Sequence, residues 1–183
     1  KIWNASRFAC MNIKDLGKLE DISEPENFYD KWILSKLNSA IQDINTQLDK
    51  FKFSDYASVC YDFFWHEVCD WYLEIIKERM EKGDKEAESV LFTLLTSVCK
   101  LMHPIIPYIT EELWHIIHET AGIKPKAEEI TFAKWPEYNE TCVDENLHTE
   151  METVKDIIRS IRNVRATVNI PHSAEIKVIL SFP

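Results

Sequence analysis

The stretch Ile33-Leu34-Ser35-Lys36-Leu37-Asn38-Ser39-Ala40-Ile41-Gln42-Asp43-Ile44-Asn45-Thr46-Gln47-Leu48 decides the fold class. Its apolar residues Ile33, Leu37, Ile41, Ile44 and Leu48 recur in steps of three and four. Such steps line one face of an α-helix, which repeats every 3.6 residues, and scatter over both faces of a strand, which repeats every two. The stretch reads as an amphipathic helix, with Phe51 closing its stripe. Ser23 and Glu26, at capping-box spacing, place its start.

The same cadence extends in both directions. Residues 1–12 read as a first helix, followed by a polar loop from Ile13 to Pro25. Beyond Phe51, Ser54 and Asp55 offer caps for a third helix with the stripe Ala57, Tyr61, Phe64, Val68, Trp71, Ile75 and Met80. Gly83 reads as its stop and Asp84 as the next N-cap. The fourth helix buries Leu91, Leu94, Leu95, Val98 and Leu101, and His103-Pro104 breaks it. Pro104 and Pro107 introduce a fifth, which turns Ile109, Leu113, Ile116 and Ile117 inward and ends near Gly122. After an irregular stretch, Asp144 caps a sixth helix running to about Asn169, with Ile157, Ile158, Ile161, Val164 and Val168 inward. Ile176, Val178 and Leu180 then alternate with Lys177, Ile179 and Ser181, a strand pattern. The expectation is an all-α, antiparallel helix bundle with one short C-terminal strand. A lone strand is unstable in water. With the absence of an initiator Met, it gives the reading of a piece excised from a longer protein.

Composition narrows the functional classes. Three glycines among 183 residues argue against glycine-rich phosphate loops and against a turn-rich β fold. No apolar run approaches the ~18 residues of a membrane-spanning helix, and the opening Lys1-Ile2-Trp3 does not read as a secretory leader. The five cysteines are odd in number, widely spaced and without a Cys-x-x-Cys pair, which fits buried free thiols in a reducing cytoplasm. Net charge is −10, unevenly spread: residues 1–20 and 151–183 each carry +2, and the middle carries −14. A polyanion should therefore meet the two ends, which must lie near each other.

Two helix faces invite chemistry. On a wheel of the first helix, Ile2, Ala5, Ser6, Ala9 and Cys10 fall on one side and Asn4, Arg7, Phe8 and Met11 on the other. An amide, an arginine and an aromatic on an exposed face suit single-stranded RNA: Phe8 stacks a base, while Arg7 and Asn4 reach base edges or phosphate. The plainer alternative packs Phe8 and Met11 on a neighbouring helix and pairs Arg7 with a surface acid. In the sixth helix Lys155, Arg159, Arg162 and Arg165 cluster beside the apolar stripe, suited to a phosphate backbone. The alternative is a solvated face paired with Asp156 or with another helix. Metal and nucleophile readings are thin. Glu112, His115 and His118 supply one Glu-x-x-His, half of what a di-iron bundle needs, and Cys60 and Cys69 lie in apolar runs that leave a thiol inert. No catalytic residue, metal or cofactor is assigned to this chain.

Several of these segments, in this order, resemble the anticodon-binding domain of class I valyl-tRNA synthetases. They are Lys1-Ile2-Trp3-Asn4-Ala5-Ser6-Arg7-Phe8, Asp30-Lys31-Trp32-Ile33-Leu34, Tyr61-Asp62-Phe63-Phe64-Trp65-His66-Glu67, Cys69-Asp70-Trp71-Tyr72-Leu73-Glu74, Thr110-Glu111-Glu112-Leu113-Trp114, Trp135-Pro136-Glu137 and Ile161-Arg162-Asn163-Val164-Arg165. The resemblance spans essentially the whole chain. It implies a bundle that grips the anticodon stem-loop of a valine tRNA. It also implies a cytoplasmic parent enzyme that uses ATP to attach valine to that tRNA, with catalytic and editing domains elsewhere in the same polypeptide. The family's His-Ile-Gly-His and Lys-Met-Ser-Lys-Ser signatures are absent here. By this resemblance Asn4, Arg7 and Phe8 meet the anticodon, with Lys1 and Asn12 beside them, and Arg159 and Arg162 touch the tRNA backbone. Residues 1–143 would form the bundle, and 144–183 the long helix and first strand of a following junction domain. Rival readings are the same domain of an isoleucyl enzyme, a helical protein–protein adaptor and a metal-dependent bundle.

Overall fold

The computed structural model describes residues 1–13, 16–17, 25–171 and 173–179, and the structural statements below concern these. The elements are α1 (Ile2–Asn12), α2 (Phe28–Asp49), α3 (Phe53–Asp62), a π-helical segment (Phe63–Tyr72), α4 (Leu73–Glu81), α5 (Lys85–Met102), α6 (Pro107–Ala121) and α7 (Glu145–Thr167). α3, the π segment and α4 form one continuous rod, so the six expected helices are present. Short 3₁₀ turns occupy Ile130–Phe132 and Glu140–Cys142.

α5 is the hub. Ala87, Val90, Leu91, Leu94, Leu95, Val98, Cys99 and Leu101 are all buried, because α1, α2, the rod and α6 pack around it. Each buried Leu or Val side chain contributes about 1.5–3 kcal/mol relative to an exposed one. The rod runs antiparallel to both α2 and α5. Asp30 at the start of α2 meets Tyr72 and Arg79 near the end of the rod, and Tyr56 at the rod's start donates its hydroxyl to the Leu101 carbonyl at the end of α5. α7 descends along α2, with His148 at Ser35 and Lys155 over Trp32.

Asp30 is fully buried, and burial pushes its carboxyl above the ordinary range against the pull of Arg79 and Tyr72. Arg79 also reaches Asp84 at 2.7 Å, and Asp84 in turn caps α5 by accepting from the Glu86 and Ala87 amides. Two helix ends and the start of α2 are thus tied by one guanidinium.

The rod departs from the expected stripe for a physical reason. Tyr56, Cys60, Phe64, Val68, Tyr72, Ile76 and Met80 are the buried line, spaced by four throughout. On an α-helix each four-residue step overshoots a turn by roughly 40°, so this line would wind off the core. The i→i+5 bonding of the π segment underwinds the chain and cancels the drift. Tyr61, expected inward, is exposed, and Ala57, Trp71 and Ile75 are only partly covered.

Four further expectations are corrected. α2 starts at Phe28, capped by Asn27, whose side chain accepts from the Tyr29 amide; Ser23 lies outside the described residues. Phe51 does not close the α2 stripe. It adopts φ +55 and is 79% exposed, because it is the left-handed residue of a helix-ending turn closed by Lys52 N–H to Gln47 O and Phe51 N–H to Leu48 O. Gly83 and Gly122 play that part after α4 and α6 with φ +71 and +66. In α7 the buried line is His148, Met151 and Lys155, while Val164 and Val168 are exposed at the far end of the helix, beyond its contact with Trp71. Finally, no strand is present among the described residues: Ile176, Val178 and Ile179 are exposed and unpaired in any ladder, and Leu180 lies outside them.

Candidate nucleic-acid interface

α1 packs through Ala5, Ser6 and Ala9, whose small side chains let it lie close on α5 and α6. This fixes the opposite face outward. Asn4 and Arg7 are exposed, as is Met11. Arg7 has no carboxylate partner among the described residues, and α1 itself contains no acidic residue. Phe8 is placed differently from expectation. It lies at the flank of the wheel, partly buried and packed against the core, so only part of its ring faces solvent. Trp3 takes the outward place instead, 49% exposed. Its wheel position, about 40° from Arg7, was the signal for it. Asn12 is turned back on its own helix, donating to Phe8 O at 2.7 Å.

Lys1 is bound inside the chain. Its ammonium lies 2.7 Å from Asp70 and 3.6 Å from the centre of the Trp65 ring. Trp65 stacks on Tyr61 at 5.2 Å, and Asp70 also meets His66 at 3.3 Å. Burial would raise the Asp70 carboxyl, but Lys1 and His66 outweigh it and hold it below the ordinary range.

The other end of the chain reaches the next residue of the π segment. Arg159 and Arg162 both lie 5.7 Å from the Trp71 ring. They line a cleft of about 650 Å³ with Glu67, Asp70 and Trp71. The expected basic face of α7 is only partly available. Lys155 is buried between Glu67 and Glu152, 2.6 Å from each, because the rod presents Glu67 to it. Arg159 pairs with Asp156 at 2.9 Å and lies 3.7 Å from Glu152. Arg165 holds the following turn by donating to Pro171 O and Ala174 O. Arg162 has no carboxylate partner among the described residues. The two +2 ends therefore meet across Asp70 and Trp71, adjacent in sequence.

The candidate metal residues diverge. His118 is buried and bonded to Trp114 O, His115 faces Glu111 at 3.3 Å and Glu112 is exposed. Burial pushes the Cys60 and Cys99 thiols up to about 12 and Cys69 to about 11, far from a reactive thiolate. Cys142, expected to be buried, is exposed on a surface turn.

Residues 30–180 match the family described as the anticodon-binding domain of tRNA ligase. The chain belongs to this family. Valine–tRNA ligases of Fervidobacterium nodosum, Thermotoga maritima and Halalkalibacterium halodurans are 40%, 38% and 40% identical to it over 181, 183 and 184 residues. These alignments cover 97–98% of this chain and 20% of each relative, so the chain spans about a fifth of the length of the curated relatives it matches. The anticodon-binding family match takes in Trp71, Arg159 and Arg162 and begins after α1, whereas the alignments to the ligases leave no room to omit that helix. No helix among the described residues is long and apolar enough to cross a membrane.

Proposed function

We propose that this chain is the module of a valine–tRNA ligase that recognises the anticodon stem-loop of valine tRNA. The parent enzyme joins valine to that tRNA with ATP in the cytoplasm, through catalytic and editing domains of the same polypeptide. Residues 144–183 lead from the bundle, residues 1–143, into a further domain, which covers the exposed Val164 and Val168. The observation that carries the reading is the outward face of α1, where Arg7, Asn4 and Trp3 lie exposed with no acid on their helix. A guanidinium with no carboxylate partner among the described residues, beside a half-exposed indole, is equipped to bond and stack unpaired bases. Arg162 at Trp71 supplies a backbone contact, whereas Lys1, Asn12 and Arg159 are held by partners they must exchange before meeting RNA.

Titration of the chain with a valine-tRNA stem-loop, an anticodon-swapped control and an isoleucine-tRNA stem-loop tests this. Expected is tighter binding of the valine RNA, with Arg7→Ala and Trp3→Ala each weakening it about tenfold and removing the preference. Phe8→Ala is a poorer probe, because it also removes core packing. Equal binding of all three RNAs by native chain and variants refutes the reading. A preference for the isoleucine RNA reassigns the parent.

A further inference from the structure

A second cationic site lies away from α1's outer face, in the acidic middle of the chain. A cleft of about 750 Å³ opens between α5, α6 and residues 123–134. That volume is within the range that holds a small ligand. Lys100, Lys124, Lys126 and Lys134 line it, and no Asp or Glu does so among the described residues. The chain holds 31 acidic residues against 21 lysines and arginines, so a lining with four amines and no carboxylate runs against its composition.

Lys134 pairs with Glu137 at 2.8 Å, outside the lining, whereas Lys100, Lys124 and Lys126 have no carboxylate partner among the described residues. Lys100 is the telling one. It is partly buried on α5, and that burial pushes its ammonium below the ordinary lysine range. A charge withdrawn from water without a counter-ion is costly and is sustained where a ligand supplies the opposite charge. Beside it His118 donates Nδ1–H to Trp114 O at 2.7 Å, since a carbonyl can only accept. Its burial and the neighbouring Lys100 charge push the ring below the ordinary histidine range, which favours the neutral form with Nε2 as an acceptor. At the rim, Phe132 is 77% exposed and offers an aromatic face.

We infer that this cleft binds a nucleotide, its phosphate between Lys100 and the Lys124/Lys126 rim and its base against Phe132. The source is either a nucleotide of an RNA or a free one, since both present the same group. The site is separate from the α1 face, and the two fail or succeed independently.

The test follows the His118 ring resonances by NMR in phosphate-free buffer, with inorganic phosphate, adenosine monophosphate and the stem-loop RNA as probes. Expected is a saturable shift of His118 and a raised His118 pKa with the monophosphate, because its anion offsets the Lys100 charge. Inorganic phosphate, which has no base to stack, should bind about tenfold more weakly. Lys100→Gln should weaken binding about tenfold, and Lys124→Gln/Lys126→Gln, both on an exposed rim, provides the same test if Lys100→Gln misfolds. Lys31→Gln, a surface control on α2, should leave it unchanged. Saturation by RNA below the monophosphate concentration assigns the site to RNA; saturation by the monophosphate alone assigns it to a free nucleotide. No saturable shift with any probe, or equal binding by the native chain and both lysine variants, overturns the inference.

Discussion

α1 and α7 each put arginine on an outer face, yet they differ in what surrounds it. α1 holds no acidic residue, so Arg7 finds no carboxylate one turn away in either direction. α7 places Glu152 three residues before Lys155 and Asp156 three before Arg159, and both pairs close at 2.6 and 2.9 Å. Residues three and four apart on a helix are neighbours, so a basic helix interleaved with acids at that spacing neutralises itself. Basic residues mark a polyanion site only where their own helix leaves them unmatched. By that criterion Arg7 and Arg162 stand apart from Lys155 and Arg159.

The sharpest way to break the contrast is Lys155→Met. Glu67, with 22% of its side chain exposed, loses its partner, and the cost is about 3 kcal/mol. Chemical denaturation should show it, with RNA affinity of the folded chain unchanged; a stable variant that loses RNA would move Lys155 into the interface. Next comes Arg7→Ala, where the expected order is reversed. Stability should stay within about 0.5 kcal/mol, as at other exposed sites, while affinity falls about tenfold. A third, smaller effect concerns acid. Burial and the Lys36 charge depress the His148 pKa despite Glu145. The unfolded chain takes up a proton near pH 6.5 that the folded chain refuses, so stability is lost as pH falls through that point. His148→Gln should flatten this slope in unfolding measured from pH 7.5 to 5, and an unchanged slope would place the acid sensitivity elsewhere. Smallest of all, Arg159→Gln should change RNA affinity by less than about twofold, since its charge is already matched. Arg162→Gln should have the larger effect.

Much of the bundle was legible because its cues are local. The α5 stripe, the Asp84 and Asp144 caps and the stops at Gly83 and Gly122 rest on residue types that carry their own conformational preference. The stop at Phe51 was hidden because the left-handed position is filled by a residue with no preference for it. Lys155 was read as surface because lysine ordinarily is; only the approach of Glu67 from another helix makes a buried place for it. Along the candidate site, the α1 wheel placed Asn4 and Arg7 correctly on the surface, since the run of small residues on the other side fixes the rotation. Trp3 went unread beside them although its angle was available. Phe8 sits at the wheel's flank, where periodicity alone does not decide between core and solvent. The meeting of the two basic ends at Asp70 and Trp71 was required by the charge pattern, but the place depended on the π segment, which no single residue announces.

That segment sets the phase of everything after it. The rod behaves as a shaft with a slack coupling in the middle: upstream residues face α1's start and downstream residues face α7, and the coupling keeps the two in step. Removing one residue between Trp65 and Trp71 would turn the far half by roughly a quarter turn relative to the near half. Trp71 would then leave Arg162 while Trp65 stayed under Lys1. The timing between the two ends is thus written in chain length rather than in any one side chain, and it tolerates substitution far better than deletion.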